Sequence, residues 1–443
     1  MSPAVMPTRI LIVGGGGREH ALAWKLSDEP GVNLVIVAPG SDAIGELQRV
    51  GCVEVPAADQ AAIVEVARAN AVELAVIGPE QPLADGLADA LRAAGVPTFG
   101  PSAAAARIET SKAFCHEIAE AAGVRMADAR VCRSTAEAME AARAFAASGR
   151  GFVIKEDGLA AGKGVSVHHP RDVTEITPYV ARLFHAGPDR VVLIEERLVG
   201  REASVIAIAG GRDVVALPAA RDHKRLRDGD DGPNTGGMGA YSPLAELPES
   251  LLVVVLREVH WPILAELARR GTPFVGALYA GLMLTADGPA LLECNARFGD
   301  PETQVVLPRL AVALGPLLLA AARGALGPVA GAHGGVAPAL PGAAVGIVLA
   351  GGAYPAASSR GDRIAGLAEA QGQGALVFHA GTRRRADGTF ETNGGRILTV
   401  VGRGASLADA RDAAEDAADA IVFEGVHRRH DIASGAVPVG AVR

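Results

Sequence analysis

FVIKEDGLAAGKGVSV, residues 152–167, is the stretch that decides the fold. A short apolar run ends in Lys155, a glycine-rich turn follows it, and two alternating valines then indicate a second strand. Glycines let backbone N–H groups approach an anion closely, and lysines bring mobile positive charges to phosphate oxygens. The pattern predicts a strand, a phosphate-binding lid and a second strand. The alternative is a solvated hairpin without a ligand.

The lid contains Gly158, Gly162, Lys163 and Gly164, and its spacing separates it from two familiar phosphate loops. A Walker loop needs one more residue between its glycines, and a Ser or Thr where Gly164 stands. A protein kinase places its glycine-rich loop before the strand lysine, whereas here the glycines follow Lys155. A lysine at the end of one strand, with a glycine lid behind it, instead resembles the ATP-grasp fold.

Lysine is rare in this chain, which has 42 basic residues but only five lysines. Arginine therefore fills the ordinary cationic positions of the surface. Lysine remains where a compact, strongly hydrated charge is required and a planar guanidinium would not fit. Four of the five lie in stretches that are singled out on other grounds, and these are Lys112, Lys155, Lys163 and Lys224.

Length and composition predict a globular protein of roughly three domains, at about 150 residues each. The 443 residues carry a net charge of −8, which argues against a nucleic-acid partner. Four scattered cysteines predict reduced thiols in a cytoplasmic protein. We expect neither a signal peptide nor a membrane partner, since we find no apolar run of the required length.

Residues 8–100 alternate apolar runs with helical patterns, which predicts an α/β domain with a parallel sheet. The predicted elements are the strands Arg9–Val13, Asn33–Val37 and Glu73–Ile77 and the helices Asp59–Asn70 and Pro82–Ala94. The first turn has four glycines, but Glu19 stands where a dinucleotide fingerprint needs glycine. Its helix N-terminus still suits a phosphate, so we expect a phosphorylated sugar here rather than NAD. The alternative is a turn that serves packing only.

Three loops of this domain would converge at the carboxyl edge of the sheet. The residues in them that we assign to the sugar are Gly15, Gly16, Gly17, Arg18, Glu19, Pro39, Gly40 and Glu80.

Two further stretches carry charges that suit a nucleotide. Thr110-Ser111 predicts an N-cap before Lys112, and a lysine in a first turn opposes the helix dipole unless a polyphosphate binds there. The predicted strand Val191–Glu195 leads into Glu196 and then Glu202, where backbone groups could read an adenine edge and a carboxylate could hold ribose hydroxyls. The alternatives are an exposed lysine and a solvated cluster of glutamates.

Residues 219–243 have little apolar content and predict a long loop, which inside a compact domain is usually functional. Asp222 and Lys224 supply charge, and the alternative is a flexible linker. The backbone donors follow in one run, which is Asn234, Thr235, Gly236, Gly237, Met238 and Gly239.

The stretch LLECNARFGDPET, residues 291–303, predicts a metal site at the end of a strand. Glu293, Asn295 and Arg297 share one face because strand side chains alternate. A carboxylate and an amide oxygen suit Mg²⁺, which also retains waters and substrate phosphates. Arg297 offers a bidentate fork to a carboxylate or a phosphate. Asp300-Pro301-Glu302 predicts a helix start with Asp300 as N-cap.

The remainder predicts structure rather than chemistry. The Ala/Gly/Pro-rich segment Gly324–Pro341 predicts a connector. A last α/β unit follows it, with the strands Ala344–Ala350 and Arg396–Val401, a tight turn at residues 392–396 and a helix at Ser406–Val422.

Ten motifs, in order along nearly the whole chain, resemble the phosphoribosylamine–glycine ligases, which have the ATP-grasp fold. They are GGGGREHALAWK, IGPEQPL, FGPSAAAA, DGLAAGKGV, DHKRL, GPNTGGMGAYSP, YAGLM, NARFGDPETQ, FHAGT and TNGGR. The family joins glycine to 5-phosphoribosylamine in de novo purine synthesis, and cleaves ATP to ADP and phosphate. The resemblance implies an α/β protein with a Rossmann-like domain at residues 1–107, an ATP-grasp domain at 108–325 and a C-terminal domain at 326–443. A mobile lid subdomain would span about residues 128–198.

The resemblance also implies roles for residues. Lys112, Lys155 and the lid, including Gly158, Gly162, Lys163 and Gly164, would hold the ATP phosphates. Adenosine would be held by Glu195, Glu196, the backbone near Leu198, and Glu202. Glu293 and Asn295 would bind Mg²⁺ or Mn²⁺. The two acceptor substrates would be held by the N-terminal loops, Asp222, Lys224, residues 234–239, Arg297, Gly299 and Asp300.

The implied route is attack of the glycine carboxylate on the γ-phosphate, followed by attack of the sugar amine on glycyl phosphate. Lys155, Lys163 and Arg297 would be the catalytic residues, and such chemistry needs positioning and water exclusion more than a protein base. We expect a monomer. The alternatives are another ATP-grasp ligase with a different acceptor, and a non-catalytic nucleotide sensor.

Five positions depart from the family pattern. They are Ser41 for Asn, Thr110 for Gly, Glu156 for a small residue, Arg201 for an acidic residue and Ala433 for Gly. Strand alternation predicts that Glu156 points away from Lys155.

Overall fold

A computed structural model describes residues 5–149, 151–159, 164–185, 187 and 189–435. Its N-terminal part is the predicted parallel sheet, in the order β3-β2-β1-β4-β5. The strands are β1 (Arg9–Gly14), β2 (Leu34–Pro39), β3 (Val50–Cys52), β4 (Leu74–Ile77) and β5 (Thr98–Phe99). The helices are α1 (Gly17–Ser27), α2 (Gln60–Ala69), α3 (Glu80–Ala84), α4 (Leu87–Ala93) and α5 (Ala103–Thr110).

The loops after β1, β2 and β4 meet at one edge of this sheet, as predicted. The N–H of Gly40 donates to the carbonyl of Gly14 at 3.1 Å, and a Cβ on Gly78 would collide with Glu19. The prediction of one helix over Pro82–Ala94 is wrong, because Gly86 adopts a left-handed φ of 88° and separates α3 from α4.

The predicted strand–lid–strand forms one side of an antiparallel sheet with the order β6-β9-β7-β8. The elements are α6 (Lys112–Ala121), β6 (Ala129–Cys132), α7 (Thr135–Ala147), β7 (Phe152–Glu156), β8 (Val165–His168), α8 (Thr177–His185) and β9 (Val192–Glu196). Helices α7 and α8 bury a small separate core on this sheet, which includes Phe152 and Val180. Lys155 pairs in register with Val165 across the turn. Gly162 and Lys163 lie outside the described residues.

A second antiparallel sheet has the strand order β11-β10-β16-β17. The strands of this middle part are β10 (Arg201–Gly210), β11 (Asp213–Ala216), β12 (Arg221–Asp222), β13 (Arg225–Arg227), β14 (Asp231–Asn234), β15 (Gly239–Ser242), β16 (Val275–Thr285) and β17 (Gly288–Asn295). The helices are α9 (Glu249–Val255), α10 (Trp261–Arg269), α11 (Glu302–Val306), α12 (Leu314–Ala322) and α13 (Gly327–Ala332).

Two expectations about irregular segments are corrected here. The prediction of an unbroken loop over residues 219–243 is wrong, because β12 to β15 lie within it. Strand β15 pairs with a strand from the C-terminal part. This pairing with a distant segment stabilises a strand that the local composition does not predict. The connector Gly324–Pro341 likewise contains α13.

The C-terminal part is a third α/β layer, as predicted. Its elements are β18 (Ala343–Ala350), β19 (Ser359–Ile364), α14 (Leu367–Gly372), β20 (Leu376–His379), β21 (Thr382–Arg384), β22 (Phe390–Gly394), β23 (Arg396–Gly404) and α15 (Leu407–Ala420). The main sheet has the order β12-β15-β18-β23-β20, so it continues into the middle part. Within the described residues, we find no helix whose length and apolarity would let it span a bilayer.

Candidate active site

A cleft of about 1090 Å³ gathers most of the predicted site residues. Its walls come from the N-terminal loops, the lid, β17 and the segment around β12, so residues far apart in the sequence face one space. The predicted residues that line it are Arg18, Glu80, Lys112, Lys155, Gly158, Gly164, Glu195, Glu196, Leu198, Glu202, Asp222, Lys224, Asn234, Thr235, Gly236, Glu293, Asn295, Arg297 and Asp300.

Ten other predicted residues are described but do not line the cleft. They are Gly15, Gly16, Gly17, Glu19, Pro39, Gly40, Gly237, Met238, Gly239 and Gly299. Met238 is fully buried, and its N–H donates to the carbonyl of His223 at 2.8 Å. These residues shape the loops around the cleft, and any contact that they make with a ligand stays a prediction.

Lys155 is only 7% exposed, although it lines the cleft. Its Nζ is 2.7 Å from Oε2 of Glu195 and donates to the carbonyl of Leu292 at 2.9 Å. The other oxygen of Glu195 is 2.8 Å from Nε2 of His116. A nearly buried ammonium is thus fixed from two directions at the end of β7, which is the arrangement needed to meet a phosphate oxygen at a defined place.

The start of α6 confirms the predicted N-cap. Ser111 accepts a hydrogen bond from the N–H of Phe114 at 3.1 Å, and Lys112 follows in the first turn. The carboxylate of Asp157 accepts hydrogen bonds from Ser111 and from the N–H of Ala113, each at 3.1 Å. The negative charge expected at this helix end is therefore supplied by the base of the lid. Lys112 itself donates to the carbonyl of Gly158 at 2.9 Å, and burial lowers its pKa.

Glu293 and Asn295 lie together on β17 and face the cleft, as predicted from strand alternation. Oε1 of Glu293 is 3.1 Å from Nζ of Lys224, which is also 3.5 Å from Glu202. The ammonium of Lys224 lowers the pKa of Glu293 to about 2 against the opposing effect of burial. Glu293 is therefore ionised at neutral pH, as a metal ligand must be.

This donor set fits a magnesium ion that retains part of its water. The described residues contain no cluster of three or more His, Cys, Asp or Glu side chains that could enclose a metal. One carboxylate and one amide oxygen are typical of Mg²⁺ that is completed by water and substrate phosphates. A divalent cation would compete with Lys224 for the oxygen of Glu293.

Arg297 is held between two carboxylates that belong to the N-terminal side of the cleft. Its guanidinium is 3.5 Å from Glu80 and 3.1 Å from Glu109. Burial opposes the charge, but Glu109 and Glu80 together raise the pKa of Arg297. Glu109 also accepts a hydrogen bond from the N–H of Ala296 at 2.7 Å. Arg297 is thus a permanent cation whose partners hold it in place.

Asp300 corrects one detail of the sequence prediction. The N-cap of α11 is Pro301, not Asp300, and no side chain caps the helix. The carboxylate of Asp300 instead accepts hydrogen bonds from Gln304 at 2.6 Å and from Arg396 at 2.7 Å. The charge-assisted hydrogen bond from a distant arginine therefore takes the carboxylate away from the helix end. Arg396 also donates to the carbonyls of Gly236 and Asp300, so it joins the segments that contain these two residues.

Asp222 places an unused acceptor at the cleft. Its Oδ1 is buried and has no hydrogen-bond partner among the described residues. Burial, followed by the nearby Glu302, raises its pKa well above the ordinary range. Gly237 makes this approach possible, because a Cβ there would lie 2.7 Å from Oδ1 and its φ is 107°. The site therefore presents a carboxyl that a ligand donor can satisfy.

Glu19 forms a hydrogen bond within the glycine-rich turn that follows β1. Oε2 of Glu19 accepts a hydrogen bond from the N–H of Gly16 at 2.8 Å, and Oε1 accepts one from Arg18 at 2.6 Å. The residue that breaks the dinucleotide fingerprint therefore caps α1 itself. Arg18, which lines the cleft, also donates to the carbonyl of Phe298 at 3.3 Å.

Comparisons with known proteins cover nearly the whole chain. Family models described as the N, ATP-grasp (A) and C domains of phosphoribosylglycinamide synthetase match residues 8–109, 110–303 and 344–435. The chain belongs to the phosphoribosylglycinamide synthetase family. The ATP-grasp prediction is thereby confirmed.

Relatives at higher and lower identity support the same assignment. The phosphoribosylamine–glycine ligase of Streptomyces coelicolor is 46% identical, with 97% of this chain and 99% of that protein covered. The enzyme of the same name from Caulobacter vibrioides is 44% identical, with 96% and 97% covered. A crystal structure of the Thermotoga maritima ligase is 33% identical with a TM-score of 0.77, and 96% of this chain and 100% of that chain are covered. The biotin carboxylase domain of Hydrogenobacter thermophilus 2-oxoglutarate carboxylase shares the fold alone, at 15% identity, a TM-score of 0.65, and coverage of 96% and 92%.

Three of the five departures from the family pattern have local surroundings that accommodate them. Glu156 turns away from the cleft, as predicted, and lies 3.9 Å from Arg190. Arg201 pairs with Glu246 at 3.2 Å. Ala433 adopts a left-handed φ of 62°, which explains why glycine is usual at that place in the family motif.

The cleft also contains residues that sequence reasoning missed, and His116, Glu109 and Arg396 are among them. His116 and Glu109 precede their partners by 79 and 187 residues, so no local motif marks them. Arg396 belongs to a turn that the sequence analysis treated as structural, although its side chain lines the cleft. The motif TNGGR was the only available signal for Arg396.

Proposed function

We propose that the chain catalyses the reaction for which its relatives are named, the ATP-dependent joining of glycine to 5-phosphoribosylamine in purine biosynthesis. One observation carries the proposal: Lys112, Lys155 and Lys224 converge with Glu293 and Asn295 in a single cleft of a phosphoribosylglycinamide synthetase. Ammonium groups and oxygen ligands in one place suit a triphosphate with its metal ion.

The chemistry proceeds in two displacements. A carboxylate oxygen of glycine attacks the γ-phosphorus of ATP, which forms glycyl phosphate and releases ADP. The amine nitrogen of the sugar then attacks the carbonyl carbon, the carbon–oxygen bond to phosphate breaks, and the nitrogen loses a proton as phosphate leaves. Lys112 and Lys155 neutralise and orient the phosphates, and Arg297 orients the glycine carboxylate. Lys163 has the same phosphate role in the lid.

Mg²⁺ or Mn²⁺, held by Glu293 and Asn295, would supply charge neutralisation at the phosphates. Adenosine is assigned to Glu196, Leu198 and Glu202, which also line the cleft.

The sugar amine is assigned to the region where the loops of the N-terminal and middle parts face each other. Asp222 and Lys224 supply one acceptor and one donor there, and both line the cleft beside Arg18 and Gly236. We further propose that the protein acts as a cytoplasmic monomer. The four cysteines, all free, suit a reducing compartment.

The test is ADP release with each substrate omitted in turn. The proposal expects ADP only when both glycine and freshly prepared 5-phosphoribosylamine are present with ATP and Mg²⁺. A parallel screen replaces glycine with other amino acids or bicarbonate, and separates this reaction from that of another ATP-grasp ligase. ADP release with a different acid, and none with glycine, would contradict the proposal. Nucleotide binding without any turnover would indicate a sensor instead.

A further inference from the structure

His116 on helix α6 is connected to Lys155 through a single carboxylate, that of Glu195. It lies one turn after Lys112, so both side chains project from the same face of the helix, and both line the cleft. Nε2 of His116 is 2.8 Å from Oε1 of Glu195, and Oε2 of Glu195 is 2.7 Å from Nζ of Lys155. The two oxygens of Glu195 therefore serve two different basic groups.

The burial of this carboxylate makes both partners important. The side chain of Glu195 is 3% exposed, and an isolated charge at such a place is strongly unfavourable. Burial acts to raise the pKa of Glu195, but Lys155 and His116 more than offset it, so the pKa is lowered. Removal of His116 would leave Oε1 buried without its donor and free the carboxylate to rotate away from Lys155.

The hydrogen bonds of Lys155 show what this orientation achieves. Of its three N–H groups, two have partners among the described residues, Glu195 and the carbonyl of Leu292. The third is available to a ligand in the cleft, and its direction depends on how firmly the other two are held.

We propose that His116 is a positioning residue that pins Glu195, so that Glu195 directs the ammonium of Lys155 at the phosphates of the bound nucleotide. The proposal rests on the proposed function and deepens its ATP site. It differs from the assignment implied by family resemblance, in which Glu195 holds adenosine. The two assignments predict losses for different parts of the nucleotide.

The experiment measures the dissociation constants of MgATP and of adenosine by calorimetry, without glycine or the sugar amine. His116→Ala is expected to weaken MgATP about tenfold, as loss of a charge-assisted hydrogen bond does, and to leave adenosine unchanged. His116→Lys is expected to restore MgATP binding, because an ammonium can also donate to Oε1 of Glu195. His185→Ala is the control, since His185 is exposed at the end of α8 and does not line the cleft.

Circular dichroism checks that each variant is folded. If His116→Ala is not, His116→Gln takes its place, and its neutral amide is expected to give an intermediate loss. Equal losses for MgATP and adenosine, unchanged MgATP binding in His116→Ala, or a lysine variant no better than alanine would each overturn the proposal. Wild-type protein that binds MgATP but releases no ADP would contradict the proposed function alone, because the His116 comparison is made on binding.

Discussion

We predict that the protein loses stability in mild acid, because two of its histidines are buried. The rings of His20 on α1 and His379 at the end of β20 stack with their centroids 5.8 Å apart. The backbone N–H of His379 donates to Nδ1 of His20 at 3.0 Å. Nδ1 of His379 lies 3.0 Å from the hydroxyl of Thr382. Burial, and then the neighbouring His379, lower the pKa of His20 to about 3, and burial lowers that of His379 to about 4.

The sign follows from where the protons bind. Both rings are neutral in the folded chain, whereas in the unfolded chain they titrate near their ordinary pKa of about 6.5. As the pH falls below that value, the unfolded state gains protons that the folded state does not, so the free energy of unfolding decreases. At 1.36 kcal/mol for each pKa unit, each ring lowers the free energy of unfolding by about 2 kcal/mol at pH 5.

The assay is urea unfolding at about pH 7.5 and pH 5, with fluorescence and circular dichroism as coincident probes. His20→Gln retains an acceptor for the N–H of His379 but does not titrate. Between the two pH values, the free energy of unfolding of this variant should therefore fall by about 2 kcal/mol less than that of wild type. The control His185→Gln replaces an exposed ring and should follow wild type. An equal loss in wild type and His20→Gln would refute the assignment of His20 as a buried neutral ring.

Three further predictions concern single positions. Glu293→Gln should lower turnover at least about tenfold at limiting Mg²⁺, and unchanged turnover there would remove Glu293 from the metal site. Lys155→Arg should not recover the ATP affinity that Lys155→Ala loses, because a planar guanidinium is larger than the ammonium that contacts Glu195 and Leu292 at 2.7 and 2.9 Å; full recovery would contradict this. Ala433→Gly should raise the free energy of unfolding by about 1 kcal/mol, because the φ of 62° is unstrained only for glycine. A urea midpoint that does not rise would contradict the strain.

Local chemistry accounts for the parts of the site that the sequence predicted. The pattern of apolar strand, glycines and lysine places Lys155 at the end of β7, and strand alternation places Glu293 beside Asn295. The scarcity of lysine drew attention to Lys112 and Lys224, and both line the cleft. The strand patterns depend only on the backbone within a few residues, whereas the lysine signal comes from the composition of the whole chain.

The incorrect or absent predictions concern residues whose structure depends on partners far away in the sequence. Asp300 had the local signature of a helix cap, but Arg396 lies within 2.7 Å and takes its carboxylate. The polar composition of residues 219–243 predicted a loop, yet β15 pairs with β18 more than a hundred residues later. His116 carried no signal, because its partner Glu195 lies 79 residues later on β9. Tertiary contacts of this kind cannot be read from composition or periodicity.

The fate of a carboxylate oxygen tests the central claim most directly. If the carboxylate of glycine attacks the γ-phosphorus, its attacking oxygen becomes the bridge of glycyl phosphate and leaves with the phosphate. Turnover of glycine labelled with ¹⁸O in the carboxylate should therefore place one labelled oxygen in each released phosphate, as read by mass spectrometry. Turnover that yields phosphate without the label would contradict activation of glycine in this cleft.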